Sequence, residues 1–217
     1  MKSAIKPAEA AALIGDGAML HIGGFMGVGS PHRLIDALVD RGARDLTIVC
    51  NDTCRPGEGV GKLVSAGLVA RAIVSHIGLN AEVQRKMLAG EIDVELVPQG
   101  TLVERIRAAG FGLGGVLTAT GIGTPVEDGK PIVQVDGVDF LLEKPIAADF
   151  ALIAARQADY AGNLEYSLTA HNFNPIMAMA AKTVIAEPHT IVPLGMISPD
   201  AVKTPGVLVH HLLERAA

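Results

Sequence analysis

The sequence contains no Trp, and only five Phe and two Tyr among its 217 residues. So few rings leave little surface on which bases or sugars stack, and 18 basic against 23 acidic side chains give a net charge of −5. Both features argue against nucleic acid as a partner. Only two Cys occur, Cys50 and Cys54. Two thiols make neither a disulfide framework nor a four-ligand zinc site. The seven His are scattered, with no pair at metal-binding helical spacing, so no metal site is expected. No apolar run reaches the ~18 residues that span a bilayer. Lys2, Lys6, Glu9 and Asp16 interrupt the N-terminus where a signal peptide would carry its apolar core. The expected setting is the cytoplasm, with no membrane contact.

What is plentiful is aliphatic side chain and glycine. Hydrophobic types make up 49% and charged types 19%, which excludes a mainly disordered chain. Glycine supplies 25 residues, well above the usual share of about 7%. Length alone makes one compact domain over residues 1–217 the default. No repeat, charge run or low-complexity linker divides it, and nothing forces a boundary near residue 115.

Apolar runs alternate with helical patterns. Helices are expected over residues 7–14, opened by Pro7, and from Pro31, where Ser30 serves as N-cap and Leu34, Ile35, Leu38 and Val39 form the apolar stripe. Further helices are expected over 81–89, 101–109 and 174–181. Strands are expected over 18–22, 46–50, 69–75, 94–97, 150–155, 183–187 and 207–211. Asp136-Gly137, between apolar runs at 131–135 and 138–142, signals a two-residue hairpin. The fold class is therefore α/β: an open, mostly parallel sheet with helices on both faces and an antiparallel ribbon inserted in it.

Four of the 25 glycines fall in one short segment, Gly23, Gly24, Phe25, Met26, Gly27, Val28 and Gly29, between the first strand and the Ser30 helix. Glycine lets a ligand approach the backbone, and the N–H groups of the next helix favour an anion such as phosphate. The same residues also suit a tight strand-to-helix turn, and spacing does not choose between the two. A dinucleotide fingerprint fails, because Gly24 and Gly27 are three apart with Phe at 25, and Asp52 matches the ribose-binding acid only loosely. A phosphate loop fails at 57–62, where Lys62 is followed by Leu63 and position 56 is Pro. That stretch reads as a flexible loop.

Four blocks together resemble family I CoA-transferases, in their α (A) subunit and on the acetate/acetoacetate branch. They are Asp16-Gly17 followed by Gly23-Gly24-Phe25, Gly29 and Pro31; Ser75-His76-Ile77-Gly78; Pro98-Gln99-Gly100-Thr101-Leu102; and Ala170-His171-Asn172-Phe173-Asn174-Pro175. The resemblance runs from about residue 5 to residue 211. Two positions depart from it: His21 stands where the family has an aliphatic residue, and His171 where Arg is usual.

The resemblance implies a carboxylate nucleophile that forms an acyl-glutamyl anhydride and then a glutamyl-CoA thioester. It places that Glu in a separate β subunit, within a Ser-Glu-Asn-Gly motif that this chain lacks. Glu58, Glu143 and Glu165 read instead as solvated surface carboxylates. The implied partners are a β subunit in an α₂β₂ assembly, an acyl-CoA and a short-chain acid. Coenzyme A is then a substrate rather than a resident cofactor. Gln99, at a strand's C-terminal edge, becomes the candidate catalytic residue, because a carboxamide donates to an oxyanion and a carboxylate does not. The loop Gly23, Gly24, Phe25, Met26, Gly27, Val28 and Gly29 becomes the candidate CoA-binding segment. Asn51, Asp52 and Thr53 read as a turn device beside the same cleft. His76 is the most site-like histidine but reads as structural, and Cys50 and Cys54 read as reduced thiols in or near a buried strand. Two other readings stay open: a non-catalytic nucleotide- or CoA-binding module, and an enzyme of sugar-phosphate isomerase type.

Overall fold

The computed structural model describes residues 1–214. Its strands are β1 (Ala4–Ile5), β2 (Met19–Ile22), β3 (Leu46–Asp52), β4 (Val69–His76), β5 (Asp93–Leu96), β6 (Val116–Thr118), β7 (Ile132–Val135), β8 (Val138–Glu143), β9 (Ala148–Asp159), β10 (Leu164–Glu165), β11 (Ala181–Val192) and β12 (His211–Leu213). The helices are α1 (Pro7–Ala12), α2 (His32–Arg41), α3 (Gly61–Ser65), α4 (Ala81–Leu88), α5 (Gln99–Gly110) and α6 (Asn174–Met179).

The main sheet runs β1-β12-β11-β9-β2-β3-β4-β5, with β10 added to β9. Every pair along that path is parallel, and only β10 is antiparallel. Side chains alternate between two cores, as parallel strands covered on both faces require. Leu20, Ile22, Ile48 and Val74 pack with Leu34 and Leu38 of α2, Leu63 of α3 and Val83 of α4. Val49, Ile73, Ala151 and Ile153 pack on the other face with Leu102 and Ile106 of α5 and Met177 of α6.

The chain winds outward from β2 to β5, then returns to place β9 on the other side of β2. That reversal opens a crevice at the C-terminal ends of the central strands, where ligands bind in open α/β sheets. Between the two halves, β6, β8 and β7 form the separate antiparallel sheet. Asp136 and Gly137 both take positive φ, 50° and 78°, as the two-residue hairpin demands.

Several boundaries differ from the sequence pattern. Residues 207–211 do not form a strand: a single 3₁₀ turn occupies Gly206–Leu208, and β12 starts at His211. Here Val209 is buried, His210 N–H donates to Val184 O and His210 Nδ1 accepts from Val184 N–H, and the ladder to β11 begins only at His211. The expected loop at 57–62 turns directly into α3, with Val60 and Gly61 buried. Helix α2 begins at His32, so Ser30 is not its cap, and Pro31 holds that position without a capping side chain. Helix α5 begins at Gln99, two residues earlier than its apolar stripe indicates.

Candidate functional site

The parallel strands place four C-terminal ends side by side, and the connecting segments converge there. Beyond β2, Phe25 and Val28 exchange two backbone hydrogen bonds of 3.0 and 2.9 Å. Met26 and Gly27 form the tip of this small turn, with φ of 49° and 80°. Gly23 and Gly24 are buried below it. A Cβ on Gly23 would lie 1.8 Å from Asn174 Oδ1, and one on Gly24 would lie 2.1 Å from Ser30 Oγ. These two glycines therefore make room for the side chains of Asn174 and Ser30. The part of the loop that reaches solvent is the tip, where Phe25 and Val28 are exposed.

Asn174 explains why the block around residue 170 belongs to the same site. It is fully buried; its Oδ1 accepts from Ala154 N–H at 3.1 Å, and its Nδ2 donates to Gly29 O and Ala170 O at 3.0 and 3.1 Å. One carboxamide thus ties β9 and the end of the glycine loop to the segment before α6.

The anion site expected at the helix after the loop is already filled from within the chain. Glu187 of β11 accepts from the backbone N–H groups of Arg33 and Leu34 at 3.2 and 3.0 Å, and pairs with the Arg33 guanidinium at 3.3 Å. A carboxylate at a helix N-terminus satisfies the orphan donors and the dipole together. The groove of about 390 Å³ beside it, lined by Ser30, His32, Arg33, Glu187 and His189, has its acid and base paired with each other.

Between the glycine turn and β5 lies a cleft of about 240 Å³ lined by Phe25, Met26, Asn51, Asp52, Ser75, His76 and Gln99. Gln99 is exposed in it and donates through Nε2 to Asn51 Oδ1 at 2.5 Å. Asn51 Nδ2 donates to Asp52 Oδ2 at 2.8 Å, and Ser75 Oγ donates to Asn51 O at 2.7 Å. Asp52 also accepts from Met26 N–H and Cys54 N–H, each at 2.8 Å. Asn51, Asp52 and Thr53 are all buried, so they do more than form a surface turn. Asp52, spent on these three donors, is not available to a ribose. His76 is exposed in the cleft and its ring makes no hydrogen bond among the described residues, contrary to a satisfied structural histidine.

The cleft is rich in neutral donors and poor in acid. Asp52 is its only lining carboxylate among the described residues. Of the acids weighed from sequence, Glu58 is exposed and away from the cleft lining. Glu143 is not a solvated carboxylate: it is buried, with Lys130 Nζ at 2.6 Å and Arg105 Nε at 3.7 Å. Glu165 is half-buried and pairs with Arg156. Cys50 and Cys54 are both free and buried. Burial, then the neighbouring Asp52 charge, raises both thiols, Cys54 to about 11. His21 is fully buried in β2, and neither ring nitrogen completes a hydrogen bond. Burial holds its imidazole down to about 4, against weaker upward pulls from backbone groups of Met177 and Ile146. No metal-ligand cluster and no helix long and apolar enough to cross a membrane occurs among the described residues.

The C-terminal edge of the parallel sheet thus carries a glycine turn beside a cleft lined by two carboxamides and one buried carboxylate. The chain belongs to the coenzyme A transferase family, as a CoA-transferase subunit of α type: residues 4–215 match that family's model. It is 49% identical over 205 residues to the acetate CoA-transferase subunit alpha of Escherichia coli (strain K12), covering 94% of this chain and 93% of that one. It is 50% identical over 202 residues to the acetoacetyl-CoA:acetate/butyrate CoA transferase alpha subunit of Clostridium acetobutylicum, covering 93% of each. Among solved structures, an acyl-CoA transferase from E. coli O157:H7, in a thioester complex with CoA, superposes with a TM-score of 0.87 at 25% identity. The match covers 98% of this chain and 47% of that one, so the present chain spans about half its length.

Proposed function

We propose that this subunit, joined to a β subunit, moves CoA between an acyl-CoA and a short-chain carboxylic acid of the acetate, acetoacetate or butyrate type. The observation that carries the half-site reading is the cleft at Gln99, which presents amide and hydroxyl donors and no free carboxylate. A Glu of the β subunit attacks the thioester carbonyl, and the tetrahedral adduct expels CoA thiolate to leave an acyl-glutamyl anhydride. The thiolate then attacks the glutamyl carbonyl, releases the acid and leaves a glutamyl-CoA thioester. An incoming carboxylate runs these steps in reverse.

Each step passes through a tetrahedral oxyanion. Gln99 Nε2 has one hydrogen engaged by Asn51, and its second hydrogen is the donor offered to that charge. The tip Phe25–Val28 contacts CoA, while Gly23, Gly24 and Gly29 set the turn's shape. Exposed Phe25, Val28, Leu79, Leu194 and Met196 follow strands β2, β4 and β11 at this same edge, which favours a partner chain closing over it. The relatives are named as subunits, and the thioester-forming neighbour is about twice this length, which supports a second chain of similar size. We further propose one domain over the whole chain, an α₂β₂ assembly and a cytoplasmic setting.

The test is CoA exchange with the chain alone and with its β partner. Inactivity alone and activity together support the half-site. Activity of the isolated chain would refute it. In the assembled enzyme Gln99→Ala lowers kcat by ~10²–10³ if its amide serves the oxyanion.

A further inference from the structure

We infer that Asp52 is a positioning residue: it fixes which way round the Gln99 carboxamide sits and ties that orientation to the glycine turn. The inference rests on Gln99 being the oxyanion donor. Asp52 is 4% exposed, and its three contacts are all donors: Met26 N–H, Cys54 N–H and Asn51 Nδ2–H. It therefore acts only as an acceptor.

An amide facing an acceptor presents its NH₂ end, and with that end turned to Asp52, Asn51 turns its Oδ1 to Gln99. Gln99 must in turn present Nε2, as it does. A pair of carboxamides alone has no such direction, because the oxygen and nitrogen ends are nearly alike in size. The carboxylate at the end of the row breaks that symmetry. With the row running this way, one Nε2 hydrogen is spent on Asn51 and the other is held at a fixed place. Reversed, Gln99 would meet Asn51 through Oε1, and the donor would move by the width of the amide. Displacements of this size at a catalytic group cost about 10²-fold in rate.

The same oxygen, Asp52 Oδ2, accepts from both Asn51 Nδ2 and Met26 N–H. The tip of the glycine turn and the orientation of Gln99 therefore share one atom. A change at either end is felt at the other through three hydrogen bonds whose middle members, Asn51 and Asp52, are buried, and such rows reinforce one another.

The test uses the assembled enzyme with Asp52→Asn, Asn51→Ala, Gln99→Ala and the two double variants that include Gln99→Ala. Asp52→Asn keeps the size of the side chain but removes the acceptor-only end. It is expected to lower kcat about 10- to 100-fold, and to have no further effect on kcat once Gln99 is Ala. Asn51→Ala cuts only the Gln99 branch, so it lowers kcat and leaves KM for acyl-CoA unchanged. Asp52→Asn leaves one oxygen for three donors, so it also weakens the hold on Met26 N–H and raises that KM. Effects of Asp52→Asn and Gln99→Ala that simply multiply would overturn the inference. If Asp52→Asn does not assemble, the Asn51→Ala cycle with Gln99→Ala decides in the same way. If Gln99→Ala itself keeps the full rate, the oxyanion reading fails. A crystal structure of the Asp52→Asn enzyme then decides the orienting role, upheld by a reversed or broken Gln99–Asn51 contact and overturned by an unchanged one.

Discussion

Asn174 Oδ1 occupies the space that a Cβ on Gly23 would need, only 1.8 Å from its ideal position. The two residues are far apart in sequence, yet the glycine exists to let this buried carboxamide reach β9, the loop and the segment before α6 at once.

Gly23→Ala should therefore act through Asn174 rather than through backbone strain. Overpacking costs ~1–3 kcal/mol, and each buried polar group stripped of its partner costs a further ~1–3 kcal/mol. A loss of at least about 3 kcal/mol is expected. Urea unfolding should show a lower midpoint at unchanged slope. A midpoint equal to the parent's would mean Asn174 has another rotamer that serves as well.

His21 sets a pH dependence with a definite sign. Its folded pKa of about 4 lies below the ordinary 6.5. Between those values the unfolded chain binds a proton that the folded chain refuses. Stability is therefore fully present above about pH 6.5 and falls as pH drops toward 4, by about 3 kcal/mol in all. His21→Leu should remove that component and relieve two unpartnered ring nitrogens. Unfolding curves of both proteins at pH 7.5 and 5 check it, with the gap between them widening at pH 5. A constant gap would refute the assignment.

Lys130 and Glu143 fasten the antiparallel sheet, and Arg105 brings α5 into the same pair. Removing one partner leaves a buried charge uncompensated, at ~3–5 kcal/mol. Lys130→Met should cost about 3 kcal/mol, being partly solvated, and Lys130→Met with Glu143→Leu should recover most of it. Amide hydrogen exchange should speed up in β8 before the main sheet responds. Uniform protection across both sheets would contradict that order.

Cys50 and Cys54 should be unreactive in the folded chain. Both are buried and both thiols are raised, Cys54 to about 11. The thiolate is the reactive form, so a thiol reagent at pH 8 should label neither in native protein and both in urea. Rapid labelling of Cys54 in the native chain would show that its cover opens.

The sequence by itself determined the rhythm of the fold and marked the segments that line the candidate site. Apolar runs at strand length, helical stripes such as Leu34, Ile35 and Leu38, and the Asp136-Gly137 turn are local signals, because backbone preference and burial period act over a few residues. The glycine cluster marked the loop for the same reason, and Gln99 was visible because it lies between a strand and a helix, in a block that resembles the CoA-transferase family. What the sequence left undecided depends on partners far away. Glu187 fills the N-terminus of α2 from 154 residues along the chain, so an expected anion site is closed. Glu143 is buried by Lys130 and Arg105 rather than solvated. Asn51 and Asp52, ordinary turn residues by composition, became a buried row joining Gln99 to the glycine turn. A side chain's charge partners, its burial and the direction of its hydrogen bonds are properties of the space around it, and only the packed sheet brings those neighbours within reach.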